Sequence, residues 1–175
     1  MTDLKHDGVI IRGLSSSGKS CLASNICNAL RERLGLFALI LETDQLNKFE
    51  LLPKSSFDMQ SRLDRGLYLA SMAMWLKRSG VIPIIAGIGQ DEVHQAWLAC
   101  FANPFVILLD IPLEDCILRD TRGVYSSGVD VVGLDLAFEK PSKSDLIICD
   151  PQLSSIEISE MALRLMKGKN GKNGK

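Results

Sequence analysis

The chain of 175 residues lacks the features that mark secreted, metal-binding or membrane-spanning proteins. Its five cysteines show no C-x-x-C spacing, which argues against a zinc site and against a disulfide framework. Its two histidines have no sequence neighbours that suggest a triad or a metal site, and His94, inside a helical pattern, is expected to be exposed. There is no signal-peptide core and no apolar run of the ~20 residues that a membrane helix needs. We therefore expect a cytoplasmic protein with no membrane partner.

The chain also lacks a charge excess of either sign, with 20 Lys and Arg against 21 Asp and Glu. No basic stripe interleaved with aromatics is present, so nucleic acid is not an expected partner. Four of the lysines fall in residues 167–175, a low-complexity stretch that we expect to be a basic, disordered tail. Residues 1–166 have the length of a single domain.

Short, continuous apolar runs alternate with helical patterns along the chain. This alternation predicts an α/β protein with three layers around a five-stranded parallel sheet. Residues 121–144 contain glycines and no sustained period, and we expect a lid at about 119–144. Met72, Met74 and Trp75 are expected to be helix core. The predicted strands are 9–11, 36–41, 81–86, 105–109 and 146–149, and the predicted helices are 22–34, 58–79, 92–101, 113–120 and 155–166.

The segment from Gly13 to Ser20 matches the phosphate-binding pattern G-x-x-x-x-G-K-[ST]. Because an apolar run precedes it and a helical pattern follows it, its backbone N–H groups and a helix N-terminus converge on one anion site. Lys19 can reach the β- and γ-phosphates, and the Ser20 hydroxyl can bind Mg²⁺. We therefore expect ATP and Mg²⁺ as cofactors. The predicted nucleotide-binding residues of this segment are Gly13, Ser15, Ser16, Ser17, Gly18, Lys19, Ser20 and Cys21.

Acidic residues follow two of the predicted strands, where open α/β sheets bind their ligands. Asp44 could accept a proton from an attacking hydroxyl or hold Mg²⁺ through water, or it could cap the next segment. Glu42 shares its face, and a site role and a structural role are open for it. Asp110 could be a metal-binding acid or the cap of the helix behind it. We predict Lys19 and Asp44 as catalytic residues, and Ser20 and Asp44 as metal ligands.

Cations lie in or beside the predicted lid. Arg119, Arg122 and Lys140 could cover the transferred phosphate as the lid closes, or they could be solvated charges. Cys21 follows Ser20 at a helix N-terminus, a position that tends to lower a thiol pKa. It is either a small residue that donates its backbone N–H or an oxidation-sensitive thiol.

These motifs together resemble the adenylyl-sulfate (APS) kinase family from about Val9 to Pro151. The loop is similar to the family's Gly-Leu-Ser-Gly-Ser-Gly-Lys-Ser-Thr, and Leu-Glu-Thr-Asp44 falls where the family has Leu-Asp-Gly-Asp. The most specific segment, 110–125, reads Asp-Ile-Pro-Leu-Glu-Asp-Cys-Ile-Leu-Arg-Asp-Thr-Arg-Gly-Val-Tyr. It is similar to the family's Asp-Thr-Pro-Leu-Glu-Val-Cys-Glu-x-Arg-Asp-Pro-Lys-Gly-Leu-Tyr. Gly133-Leu134-Asp135 matches the family's Gly-Ile-Asp in the lid.

The resemblance implies a P-loop kinase that transfers the γ-phosphoryl group of MgATP to the ribose 3′-hydroxyl of APS, giving PAPS and ADP. It implies that Arg119 lies beside the ATP base and that a homodimer is possible. In isolation Phe57 is typical of a core residue and Arg62 of a surface residue. The resemblance instead places both, with Ile88 and Gly133, against the acceptor nucleotide.

The departures from the family pattern lie on the acceptor side. The family's Asp-Gly-Asp-Asn-x-Arg becomes Glu-Thr-Asp-Gln-Leu-Asn47, and its Ile-Ser-Pro turn becomes Ile88-Gly89-Gln90. Its Lys-x-Phe-Thr-Gly-Ile-Asp lid element becomes Val-Asp-Val-Val-Gly-Leu-Asp, without the lysine and the aromatic. Stacking on an aromatic contributes ~1–3 kcal/mol per base, so this loss should weaken APS binding.

Two further functions therefore stand beside phosphorylation of APS. One is the same chemistry on another nucleotide, such as cytidine diphosphoramidate in capsule biosynthesis. The other is a nucleotide-binding protein without catalysis, and the presence of Lys19, Ser20, Asp44 and Arg119 argues against it.

Overall fold

The computed structural model describes residues 4–52, 59–127 and 130–167. In these ranges strands and helices alternate, as the pattern of apolar runs predicts. The strands are β1 (Gly8–Gly13), β2 (Ala38–Leu41), β3 (Ile82–Gly87), β4 (Pro104–Leu109) and β5 (Leu146–Ile148). The helices are α1 (Lys19–Leu34), α2 (Thr43–Lys48), α3 (Met59–Arg78), α4 (Asp91–Leu98), α5 (Leu113–Leu118), α6 (Val124–Ser127) and α7 (Ser155–Lys167).

The five strands form one parallel sheet in the order β2-β3-β1-β4-β5. β1 lies in the centre, with Ile10 paired to Ile85 of β3 on one side and to Val106 of β4 on the other. The strands that follow β1 in sequence are distributed to both sides of it. The loop after β1 therefore opens where sheets of this kind bind ligands.

Alternate side chains of β1 enter two separate apolar layers. Val9 and Ile11 pack with the helices α1 and α7, whereas Ile10 packs with α3 and α4. All three are fully buried, which is why the strand is a continuous apolar run. The prediction of a three-layer α/β fold with a five-stranded parallel sheet is confirmed.

Two short helices were not predicted. α2 has six residues and α6 has four, and each is shorter than the window in which a helical period can be recognised. α6 lies in the glycine-containing stretch 121–144, for which no period is visible. The described part of the predicted lid, about 119–144, thus contains a helical turn and an isolated bridge between Val132 and Leu136, and its role as a lid stays a prediction.

The expected exposure of His94 is wrong, because only 2% of the residue is exposed. The buried face of α4 consists of Val93, His94 and Trp97, and α4 packs against α3. The expectation of a helix core at Met74 and Trp75 is also wrong. These residues are 43% and 66% exposed, because the face of α3 that points away from the sheet carries them.

No helix in the described ranges is long and apolar enough to cross a membrane. Phe57 lies outside the described residues, as does the tail after Lys167. The division into a domain of residues 1–166 and a tail of residues 167–175 stays a prediction.

Candidate active site

The loop between β1 and α1 is shaped by two glycines. Gly18 occupies the N-cap position of α1 with a φ of 102°, a left-handed conformation that favours glycine. At Gly13 a Cβ atom would lie 2.7 Å from Oγ of Ser17 and 2.8 Å from the carbonyl oxygen of Leu109, so no side chain fits. The first amides of α1 have no helical acceptor, and they are left at the mouth of the loop. This arrangement is suited to an anion.

Lys19 is buried beneath the loop that it follows. Its Nζ atom donates a hydrogen bond to the carbonyl oxygen of Leu14 at 2.5 Å, and the residue is 8% exposed. Burial lowers the pKa of Lys19 to about 8, and the carboxylate of Glu42 opposes that shift. The ammonium group therefore lies inside the loop and is charged at neutral pH.

Ser20 and Glu42 are joined across the start of α1 and the end of β2. Oγ of Ser20 donates a hydrogen bond to Oε1 of Glu42 at 2.5 Å, and Glu42 is 7% exposed. The sequence left the role of Glu42 open, and the structure places it in the site. Hydroxyl and carboxylate oxygens are the ligands that Mg²⁺ prefers, so these two residues fit a magnesium site. Cys21, the next residue of α1, is exposed.

Asp44 lies in the first turn of α2 and is paired with a cation of the lid. Nη1 of Arg122 donates to Oδ2 of Asp44, and about half of each side chain is exposed. The pair raises the pKa of Arg122. Both charges act on the buried ammonium of Lys19, so Lys19, Glu42, Asp44 and Arg122 share one electrostatic environment.

The N-terminal part of the lid contacts the loop through two hydrogen bonds. The Tyr125 hydroxyl donates to the carbonyl oxygen of Ser15 at 2.9 Å, and Oγ of Ser16 donates to Oδ1 of Asp120 at 3.4 Å. Asp120 also accepts from the backbone N–H groups of Tyr125 and Arg122, and the first of these contributes most to its lowered pKa. The residues of the loop and the lid therefore form one contact surface. Tyr125 was missed as a site residue, although it ends the most specific segment of the resemblance.

Arg119 ends α5 and reaches the turn after β5. Its Nη2 atom donates to the carbonyl oxygen of Pro151. This places the guanidinium on the side of the loop opposite Asp44, which lies beyond β2 at the other edge of the sheet. Its position beside the ATP base stays a prediction.

The predicted acceptor residues lie on three different elements. Nη1 of Arg62, in α3, donates to the carbonyl oxygen of Asp130 in the lid at 2.8 Å. Ile88 follows β3, and its carbonyl oxygen accepts a hydrogen bond from Nε of Arg12 at 2.9 Å. Gly133 has a φ of 97°, and a Cβ atom there would lie 2.7 Å from a methyl group of Leu14. The fourth residue, Phe57, lies outside the described residues.

A cavity of about 480 Å³ lies between the lid and the ends of β4 and β5. Its wall includes Asp110, Gly133, Phe138 and Lys140. Nζ of Lys140 donates to Oδ2 of Asp110 at 2.8 Å, while Pro112 occupies the N-cap of α5. Of the two roles left open for Asp110, capping of this helix is therefore excluded. Both members of this ion pair line the cavity.

One buried cation near the site was not recognised from the sequence. Arg12, in β1, is fully buried, and its guanidinium carbon lies 5.4 Å from the centre of the Phe138 ring. Its neighbour His94 is neutral at pH 7, since burial, and then the charge of Arg12, lower the pKa of His94 to about 4. A polar residue that ends an apolar strand is the only sequence signal that could have found Arg12.

The chain is similar to known proteins along most of its length. The model of the family described as adenylylsulphate kinase matches residues 6–149. The chain is 29% identical over 165 residues to the cytidine diphosphoramidate kinase of Campylobacter jejuni, covering 88% of this chain and 93% of that protein. It is 27% identical over 163 residues to the probable adenylyl-sulfate kinase of Pyrococcus abyssi, covering 90% and 92%.

The fold agrees with that of a solved member of the same family. The structure of the Mycobacterium tuberculosis APS kinase CysC, in complex with AMPPNP and APS, superposes with a TM-score of 0.81 at 25% identity. The match covers 93% of this chain and 98% of that one. Relatives and neighbours are kinases, and the phosphate-binding loop described above is intact. The chain thus belongs to the adenylyl-sulfate kinase family and is an ATP-dependent P-loop kinase.

Proposed function

We propose that this kinase transfers the γ-phosphoryl group of ATP to the ribose 3′-hydroxyl of a nucleotide, with APS as the first candidate acceptor. The observation that carries the proposal is the convergence of Lys19, Ser20, Glu42 and Asp44 at the carboxyl end of the sheet. One ammonium group, one hydroxyl and two carboxylates are the groups that phosphoryl transfer requires.

The donor is held by the loop 13–20. The amides at the start of α1 bind phosphate oxygens, and the ammonium group of Lys19 turns from the carbonyl oxygen of Leu14 toward the β- and γ-phosphates. Ser20, with Glu42 and Asp44 beside it, would hold Mg²⁺. When bound, the ion neutralises charge on the phosphates.

Asp44 serves as the proton acceptor of the reaction. The acceptor hydroxyl oxygen attacks the γ-phosphorus, the bond from that phosphorus to the bridging oxygen of ADP breaks, and the hydroxyl proton passes to the Asp44 carboxylate. Arg122 pairs with Asp44. It is placed to stabilise the negative charge of the transferred group once the donor is bound.

APS is the first candidate because the family match covers residues 6–149 and the neighbour with the TM-score of 0.81 was solved with APS. Ile88 follows β3, which pairs with β1, and Gly133 lies beside Leu14 at the start of the phosphate loop. We assign both residues to the acceptor. Arg62 reaches the lid from α3. These three residues, together with Phe57, are the proposed acceptor contacts.

A specific observation favours cytidine diphosphoramidate as a second candidate. Val131 stands where the family pattern has the lid aromatic, and it is 6% exposed. Its backbone N–H donates to the Asp135 carboxylate at 2.8 Å. A purine sandwich between two aromatics is therefore not formed by the described part of the lid. The relative from C. jejuni, which is 29% identical and covers 88% of this chain, carries the name of that second activity.

The proposal is tested by ADP release from ATP and MgCl₂ with APS, with cytidine diphosphoramidate, with CDP and without acceptor. Phosphorus NMR of the product identifies the hydroxyl that has been phosphorylated. Activity with APS supports the first candidate, and activity with the cytidine compound alone supports the second. ATP binding without acceptor-dependent turnover would overturn both.

A further inference from the structure

Arg12 is the last side chain of β1 before the phosphate loop, and it is a cation in a core position. The neighbouring residues Val9, Ile10 and Ile11 are apolar and, like Arg12, have no exposed surface. A buried charge costs free energy unless it is paired, and an apolar side chain of similar size at this place would avoid that cost. The contacts of Arg12 must therefore explain why a guanidinium is placed here.

The guanidinium of Arg12 bonds to two segments that are distant in sequence. Nε donates to the carbonyl oxygen of Ile88 at 2.9 Å, and Nη2 donates to the carbonyl oxygen of Glu139 at 2.6 Å. Phe138 lies beside it. The planar fork of an arginine can hold two acceptors in fixed directions, which a lysine cannot do. Arg12 thus joins the turn after β3, residues 88–91, to the last part of the lid, residues 137–140, which we call the strap.

Side-chain and backbone groups of the turn and the strap complete the junction. Nε2 of Gln90 donates to the carbonyl oxygen of Ala137 at 2.8 Å, and the Asp91 N–H donates to Oε2 of Glu139 at 2.6 Å. The Glu139 N–H donates to Oε1 of Gln90 at 3.3 Å. The bonds run in both directions between the two segments, and Arg12 fastens them to the central strand.

The charges around Arg12 are consistent with a permanent cation. Burial lowers the pKa of Arg12 to about 10, while the carboxylates of Asp91 and Glu139 oppose that shift. His94, the titratable group on α4 that faces it, is neutral at pH 7. Arg12 therefore keeps its charge, and its bonds to the two carbonyl groups, throughout the physiological range.

Both joined segments belong to the acceptor side. Ile88 is one proposed acceptor contact, and Phe138 and Lys140 of the strap wall the same cavity as Gly133, which is another. Arg12 itself stands at the base of the loop, but it makes its two side-chain hydrogen bonds to the turn and the strap. A change at Arg12 should therefore alter the acceptor wall more than the donor loop.

We propose that Arg12 is a positioning residue for the acceptor, which clamps the 88–91 turn to the strap and so fixes the wall against which the acceptor nucleotide lies. This inference rests on the proposed function, because it assigns Arg12 to the acceptor step of that reaction. In this role Arg12 acts through the turn and the strap, without contact to either nucleotide.

The test compares Arg12→Met, which keeps the bulk but removes the fork, with Arg12→Lys and with a matched core control, Ile10→Ala. Ile10 lies two residues before Arg12 on the same fully buried strand, so its side chain leaves the same face of the sheet, but it has no group that can donate to either carbonyl oxygen. We expect Arg12→Met to raise the KM for the acceptor at least tenfold, with the KM for ATP unchanged within twofold. Arg12→Lys should raise the acceptor KM less than Arg12→Met does. Ile10→Ala should lower the melting temperature without raising the acceptor KM relative to the KM for ATP.

A second measurement needs no acceptor. In Arg12→Met, hydrogen exchange at the backbone amides of Asp91 and Glu139 should accelerate at least tenfold relative to the amides of α1, whereas Ile10→Ala should not alter that ratio. If Arg12→Met does not fold, Gln90→Ala is the second variant. It removes the side-chain hydrogen bonds of Gln90 to Ala137 and Glu139 and should raise the acceptor KM several-fold.

The two failures can be distinguished. If the wild type phosphorylates none of the tested nucleotides, the proposed function fails, and the exchange measurement still decides whether Arg12 clamps the two segments. If both KM values rise by the same factor, or if the Asp91 and Glu139 amides keep their wild-type exchange ratio, Arg12 is a structural residue only and the inference is overturned.

Discussion

The donor side and the acceptor side of this site are assembled in different ways. The donor side is one continuous stretch, Gly13 to Ser20, whose geometry is set by its own glycines and by the helix that follows. The proposed acceptor side takes Arg62 from α3, Ile88 from the end of β3 and Gly133 from the predicted lid. Its shape therefore depends on contacts between segments that are far apart in sequence.

The difference explains why the two sides change independently. A loop that binds phosphates through main-chain N–H groups needs few side chains, and those few match the family pattern. A wall built from several segments can be altered at any one of them, as at Asn47, Gln90 and Val131, while the sheet that carries the donor loop stays the same. We therefore expect substitutions on the two sides to affect different kinetic constants.

The largest effect is expected for Lys19→Ala on the donor side. Removing the one ammonium inside the loop should lower kcat/KM about 10³-fold or more, because charge on the transferred phosphoryl group is then uncompensated. Turnover by a coupled ADP assay measures it, and Lys167→Ala, an exposed lysine at the end of α7, is the matched control. Residual activity within tenfold of the wild type would show that another cation carries this role.

Asp44→Asn should separate chemistry from binding. The amide keeps the shape of the carboxylate but accepts no proton, so we expect kcat to fall by about 10²-fold or more. The Kd for ATP, measured by calorimetry, should change less than threefold. Glu32→Gln, which makes the same chemical change at an exposed position of α1, is the control. Near-normal kcat in Asp44→Asn would contradict the role of proton acceptor.

The sequence predicted the fold and the donor side because both depend on local patterns. Continuous apolar runs such as 9–11 identify buried parallel strands, and the fixed spacing of Gly13, Gly18 and Lys19 identifies a phosphate-binding loop. The burial of His94 and the exposure of Trp75 were predicted wrongly, since the side of a helix that faces the core is decided by the partner helix and not by the helix's own composition.

The parts of the site that sequence reasoning missed are those made by tertiary contacts. Arg12 looks like an interruption of an apolar strand until Ile88 and Glu139, which lie 76 and 127 residues away, are seen to accept its bonds. Glu42 could not be decided from its position after β2, because only the contact with Ser20 brings it into the site.

The pH dependence of ATP binding tests the buried state of Lys19. The pKa of Lys19 in the folded protein, about 8, is below the ordinary lysine value of 10.5, so the free enzyme loses this proton as the pH rises through 8. Nucleotide binding needs the charged form, and the Kd for ATP should rise about tenfold between pH 7 and pH 9. The free energy of unfolding should increase with pH between pH 8 and 10.5, because in that range the unfolded chain binds more protons at this residue than the folded protein does.

Lys19→Arg is the control for this titration, because a guanidinium stays charged over the whole range. Its Kd for ATP should be independent of pH between 7 and 9, at whatever absolute value the longer side chain gives. A wild-type Kd that is equally flat would mean that the Lys19 proton is retained through pH 9, and that burial at this position is offset by Glu42 and Asp44.

The smallest expected effect is that of Gly133→Ala, and it tests the acceptor side alone. Gly133 has a φ of 97°, and an added Cβ atom would meet the Leu14 methyl group at 2.7 Å, so the lid must shift away from the loop. We expect the acceptor KM to rise several-fold, while the Kd for ATP stays within twofold.

Gly35→Ala is the matched control, because Gly35 also has a positive φ, of 64°, but open space where its Cβ atom would lie. Both substitutions should lower stability by about 1–3 kcal/mol through backbone strain, measured by thermal unfolding. Only Gly133→Ala should change the acceptor KM, and an equal rise in the control would assign the effect to general destabilisation, not to the acceptor wall.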